Sequence, residues 1–293
     1  MKATRYFAAA IVLGTSTLLS SCHDSSGGAS TPGNGNGDFK MLVYTRTASF
    51  RHASIPIAIQ TIRDLGAANR FSVDATEDPA MFSDANLAQY DVVAFVSTTG
   101  EILDDTQQAA FERWVQAGGG FVGVHSAADT EYEWPFYAGL IGAYFRNHPV
   151  LPLGNPGGPG VQPGDFRIDA PDHPAVAHLP TPWTVSDEFY SFRTNPREQV
   201  RVLLSIDEDS YIQDPNTSNL PTSPTFPLGE TGSMGDHPMS WCHDNSGGRA
   251  WYTALGHSEH MYAMPEYRTH LLNGILTAAR RVAADCTPRP LAP

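Results

Sequence analysis

Short apolar runs of strand length alternate with segments whose apolar residues recur at helical spacing, and this alternation restricts the chain's fold more than any other feature. Lys40–Tyr44 (KMLVY) reads as a strand, and Ile55, Ile59, Ile62 and Leu65 then form the apolar face of a helix running up to Gly66. Phe71–Ala75, Asp91–Ser97 and Phe121–His125 read as further strands. A helix that opens at Asp104 and Asp105 and buries Phe111, Trp114 and Val115 is stopped by Gly118, Gly119 and Gly120. Strands separated by helices imply an α/β domain with a largely parallel sheet covered on both faces. Beyond Pro149 the pattern loosens. Leu151–Gly164 and Asp214–Pro227 are rich in Pro, Gly and Asn and read as surface loops. Strands return at Val200–Ile206, Met239–Cys242 and Ala250–Leu255, followed by a helix from Pro265 to Val282.

The 293-residue chain divides into three regions. Lys2 and Arg5 precede an apolar run, Phe7–Leu19, that is too short to span a bilayer, so residues 1–21 read as a signal peptide. The run ends in Leu19-Ser20-Ser21-Cys22, which resembles a bacterial lipoprotein box with Cys22 as the lipidated residue. Residues 22–38 are a flexible Gly/Ser/Asn-rich tether, and residues 39–293 are the folded domain. The expected location is the bacterial cell envelope, with the membrane reached only through the lipid. In such an oxidising compartment the remaining pair, Cys242 and Cys286, is expected to form a disulfide. The formal charge is −13, and removal of the first 21 residues leaves −15, which disfavours nucleic acid as a partner.

In an open α/β sheet, ligands gather at the carboxyl ends of the strands. Phe50-Arg51-His52, His125-Ser126-Ala127 and Gly256-His257-Ser258-Glu259 all follow strands, and Asp187-Glu188 precedes Phe189-Tyr190. His52, His125 and His257 with a carboxylate suit either a divalent metal such as zinc or acid/base chemistry. Neighbouring residues in extended backbone face opposite ways, so only one of Asp187 and Glu188 can face the site, and Glu188 is the expected one. Ser126 with His257 as base is a rival, hydrolase-type arrangement, although no G-x-S-x-G motif is present. His148, His173, His178, His237, His243 and His270 are expected to serve structure. Trp134, Tyr132 and Tyr190 are candidates to stack on a sugar ring, or else to pack the loops.

Four segments, Tyr44–His52 (YTRTASFRH), Gly119–Ala127 (GGFVGVHSA), Asp187–Tyr190 (DEFY) and His237–His257, resemble the ThuA-like, or trehalose-utilisation, family, over about Lys40–Ala284. The resemblance implies a flavodoxin-like three-layer sandwich similar to the class I glutamine amidotransferases. In those enzymes a cysteine stands at the sharp turn where this chain has His125, whereas His257-Ser258-Glu259 keeps their His-x-Glu form. Imidazole does not replace a thiolate in accepting a glutamyl group, so amidotransferase activity is not expected. The resemblance implies a site rebuilt around His52, His125, Glu188 and His257, with Glu188 as ligand or general base and Arg51, Ser126, Tyr190 and Trp134 near a saccharide. A lipid-anchored enzyme of carbohydrate metabolism, with a bound divalent metal, is the first expectation. A sugar-binding lipoprotein without catalysis is the alternative.

Overall fold

The computed structural model describes Met1 and residues 38–149, 160–213 and 233–290. The signal peptide, Cys22 and the tether up to residue 37 lie outside the described residues, as do residues 151–159 and 214–227 of the two expected loops.

From Asp38 onward one nine-stranded sheet organises the chain. Five strands, β1 (Phe39–Tyr44), β2 (Phe71–Thr76), β3 (Val92–Val96), β4 (Gly120–Val124) and β11 (Gly248–Thr253), pair in parallel in the order β2-β1-β3-β4-β11. That is the flavodoxin-like order, whose switch point lies between β1 and β3. The sheet continues past β11 with β10 (Pro238–Asn245), β9 (Arg201–Ile206), β6 (Val161–Ile168) and β7 (Trp183–Glu188), all antiparallel. A parallel half thus carries an antiparallel extension, inserted between β4 and β11 in sequence. Two short strands, β5 (Phe145–Asn147) and β8 (Ser191–Phe192), pair separately.

Helices α1 (Ile55–Asn69), α2 (Asp84–Leu87), α3 (Asp105–Gln116), α4 (Pro135–Ile141) and α5 (Pro265–Ala278) cover the sheet. The alternation of side chains along β4 and β11 shows both faces to be occupied. Phe121 packs on Phe111 of α3 and Tyr137 of α4, whereas Trp251 packs on His270 of α5. β3 and β4 are buried throughout, as continuous apolar runs between two helical layers must be. Asp104 opens α3 with a capping box, its carboxylate accepting from Thr106 and Gln107.

One loop expectation is overturned. Residues 161–164 belong to β6, with Val161, Gln162 and Gly164 buried. Pro163 is tolerated because β9 pairs only with Phe166, Arg167 and Ile168, so the strand is one-sided where proline removes a donor. Asp187 and Glu188 end β7, in the extended backbone expected of them. The expected disulfide is present: Cys242 of β10 bonds Cys286 in the tail.

Candidate metal centre

The turn that follows β4 sets the geometry. His125 adopts φ 52, a left-handed conformation uncommon for a residue with a side chain, and its carbonyl accepts from the Tyr252 hydroxyl at 2.9 Å. His125 Nδ1 lies 2.8 Å from the carbonyl of Ala254, which can only accept. Nδ1 therefore carries a hydrogen, which leaves Nε2 as the ring's ligating nitrogen.

Three other groups converge on that nitrogen. His52 Nε2 is 3.1 Å away, His257 Nδ1 3.3 Å and Glu188 Oε2 3.4 Å, and His257 Nδ1 is 3.2 Å from the same carboxylate oxygen. All four donor atoms lie within 4.8 Å of one another. Each comes from a different strand end. His52 is in the β1–α1 loop, which is fastened by Ser54 Oγ donating to the Gly256 carbonyl at 3.1 Å and by Thr99 Oγ1 donating to the Phe50 carbonyl at 2.9 Å. His257 follows β11, and its loop is held by Asp187, whose carboxylate accepts from the amides of Gly256 at 2.7 Å and Ser258 at 2.9 Å. The two adjacent carboxylates thus divide the work, Asp187 fixing the loop and Glu188 facing the imidazoles.

Charge is arranged to match. Burial, then His125 and His257, lower the His52 pKa to about 2, so this ring is neutral at any ordinary pH. Burial alone would raise the Glu188 carboxyl, but His125, His257 and His148 beside it outweigh that and hold it well below the usual carboxylate range. His257, also opposed by burial, is held above the ordinary imidazole value by Glu188.

A divalent ion fits this set. Ligands at about 2.0–2.2 Å from a cation stand about 2.8–3.6 Å from their nearest neighbours, from right-angled to tetrahedral arrangements, and the four separations, 3.1–3.4 Å, fall in that range. Three imidazoles and one carboxylate are a borderline-soft set suited to first-row divalent ions. His125 donates its second nitrogen to a carbonyl, and His52 places its own 3.3 Å from Ser126 Oγ, the outer contacts that orient ligating histidines. Among the described residues, His173, Cys242 and Cys286 also cluster, but both sulfurs are in the disulfide.

Several expected site residues lie elsewhere. Arg51 is half-exposed and pairs with Glu77 at 2.7 Å. Trp134 is buried in the aromatic layer of Phe111, Phe136 and Tyr137, so it offers no face to a ligand. Tyr132 hydrogen-bonds Asp129 at 2.6 Å and lies under the Arg193 guanidinium. Tyr190 does reach the site, with its ring 4.3 Å from that of His125, yet it is buried and sandwiched against Phe145. Ser126 is buried beside His52 rather than paired with His257, which removes the expected nucleophile–base geometry. His173, His178, His237, His243 and His270 each hold a backbone group or a buried partner, as structural histidines do. His148 differs: besides the Pro149 carbonyl at 3.1 Å, its Nδ1 faces the cluster, 3.3 Å from Glu188 Oε1. β5 pairs with β8, Asn147 opposite Ser191, and this long-range pairing carries His148 to Glu188. No local pattern in Asn147-His148-Pro149 signals it. The exposed aromatic at the cluster is Phe50, 62% exposed, its ring edge-on to His52 at 4.8 Å.

A family model described as ThuA, trehalose utilisation, matches residues 40–278. No curated protein sequence matches the chain. Among solved structures, a ThuA-like protein from Bacteroides uniformis is similar with a TM-score of 0.62 at 23% identity, covering 81% of this chain and 90% of its own. A ThuA-like protein from Parabacteroides merdae gives 0.61 at 19%, covering 86% and 98%, and a cytoplasmic protein from Salmonella typhimurium 0.55 at 12%, covering 82% and 99%. At these identities the likeness carries the fold alone. The match of the family model across the folded domain decides the family: the chain belongs to the ThuA, trehalose-utilisation, family.

Proposed function

We propose that this protein is an exported, lipid-anchored enzyme of carbohydrate metabolism that acts on a saccharide or an oxidised saccharide. His52, His125, His257 and Glu188 hold a divalent cation in this reading. The observation that carries it is the convergence of four donor atoms, each pair of neighbours 3.1–3.4 Å apart, at the carboxyl ends of the strands. The family's trehalose-utilisation description and the exposed Phe50 ring beside His52 support a sugar as the ligand. Such a cation would polarise a sugar carbonyl or hydroxyl oxygen.

The chain's own groups perform the rest. His125 is locked in one tautomer by Ala254, His52 remains uncharged, and Glu188 supplies the negative charge that balances the site. Tyr190 and the surrounding core exclude water from the inner side of the cluster, while Phe50 offers an apolar face at the rim. Cys22 anchors the chain, and the acidic domain meets a neutral ligand rather than a polyanion.

The test is to incubate the protein with a panel of disaccharides and their keto derivatives, with and without added divalent cation, and to identify products by mass spectrometry. Cation-dependent conversion of a saccharide, abolished in His125→Ala, is the expected result. Cation-independent sugar binding with no conversion of any panel member would replace the enzyme with a non-catalytic sugar-binding lipoprotein.

A further inference from the structure

His148 stands just outside the four-donor cluster and touches it at one atom. Its Nδ1 lies 3.3 Å from Glu188 Oε1 and 3.1 Å from the Pro149 carbonyl oxygen. A carbonyl accepts, so Nδ1 carries a hydrogen, which it gives to Pro149 while standing against Glu188 Oε1 as an ion-pair contact. The other carboxylate oxygen, Oε2, is the one that faces His125 and His257. The two oxygens of Glu188 therefore have separate partners.

Gly160 closes the far side of this contact. A β-carbon there would stand 3.0 Å from Glu188 Oε1 and 3.1 Å from His148 Nδ1, and the backbone φ of +88 is one that residues with side chains rarely adopt. Its position is set by register, because the next residue, Val161, pairs with Glu188 across β6 and β7. The His148 ring is further steadied by Phe145 at 6.0 Å and Tyr190 at 6.2 Å. Glu188 is buried whereas the His148 side chain is 29% exposed, so the contact runs from the cluster toward the surface.

We propose that His148 is a positioning residue for Glu188: its Nδ1–H holds Oε1, with Gly160 leaving room for the contact, so that Oε2 alone is offered to a divalent cation. The inference rests on the cation reading of the site. Without this contact the carboxylate turns about its terminal torsion and presents either oxygen, or both, to the ion. The ligand field then changes although every ligating residue is still present.

Cobalt(II) is the probe, because its d–d spectrum reads the ligand field directly and needs no substrate. The full-length protein is titrated as wild type, His148→Ala, His148→Asn and Gly160→Ala. The asparagine amide places an N–H where the imidazole Nδ1–H stands. Wild type is expected to bind one cobalt. His148→Ala is expected to bind at least about tenfold more weakly with a shifted spectrum, and His148→Asn to return both toward wild type. Gly160→Ala, which keeps His148 but crowds Oε1, is expected to shift the spectrum as His148→Ala does. An unchanged spectrum and affinity in His148→Ala, with wild type still binding cobalt, would overturn the positioning role and leave the cation reading standing. Absence of cobalt binding by wild type would overturn the cation reading and the inference with it.

Discussion

Ala254 gives only a carbonyl to the site, yet that carbonyl fixes which nitrogen of His125 is free. The three histidines were legible in the sequence because each follows an apolar strand run, and ligand-binding residues of an open sheet collect at those ends, whereas Glu188 stands at the end of the mixed polar β7 and was legible only as the carboxylate facing away from Asp187. His148 was not legible, since only the pairing of β5 with β8 brings it to Glu188. The aromatic roles stayed open for a similar reason: composition does not tell a core ring from a rim ring, and Trp134 fills the core while Phe50 is left at the surface. An exposed phenylalanine contributes little to folding, so Phe50→Ala is expected to change stability by no more than about 0.5 kcal/mol. The same variant is expected to weaken saccharide binding several-fold in calorimetric titration; equal affinity in both proteins would remove Phe50 from the ligand surface.

Among the elements, the parallel half was readable because strands buried on both faces are continuous apolar runs. The antiparallel extension was partly hidden. In β6 a proline and a glycine break the apolar pattern, and the tertiary partner that makes the segment a strand, β7, is itself a mixed polar run. Gly66 was also misleading as a helix end: α1 continues to Asn69, and glycine is needed at 66 because a β-carbon would stand 2.6 Å from the Phe71 carbonyl oxygen. The disulfide joins β10 to a tail with no regular structure, across 44 residues of sequence. Closing a loop of that length restricts the unfolded chain by about 4 kcal/mol. Cys286→Ser is therefore expected to lower the unfolding free energy in denaturant titrations by about that amount; a loss below about 1 kcal/mol would mean that the tail is held by other contacts.

For the whole molecule, buried neutral histidines set the response to acid. Burial lowers the pKa of His173 and His243 to about 4, of His270 to about 3 and of His52 to about 2. In the unfolded chain each titrates near 6.5, so below that pH the unfolded state binds protons that the folded state refuses. Stability is thus expected to fall as the pH drops from about 6.5 to 5, by up to about 1.4 kcal/mol per pH unit for each histidine. His257, whose pKa is raised, keeps its stabilising charge throughout that window and does not offset the loss. Denaturant titrations in the presence of a chelator read this directly, and a flat profile would mean that these rings are not buried neutral. Cell fractionation is expected to find the wild-type chain with the membrane and Cys22→Ser released from it; equal membrane retention would sink the lipid anchor. The central claim is that His52, His125, His257 and Glu188 form a divalent-cation site. Elemental analysis of the purified protein, equilibrated with zinc, manganese and cobalt and then dialysed, tests it most directly. The account expects close to one equivalent of a single ion in wild type and its loss in His125→Ala, whereas no bound divalent ion in folded wild type would contradict it.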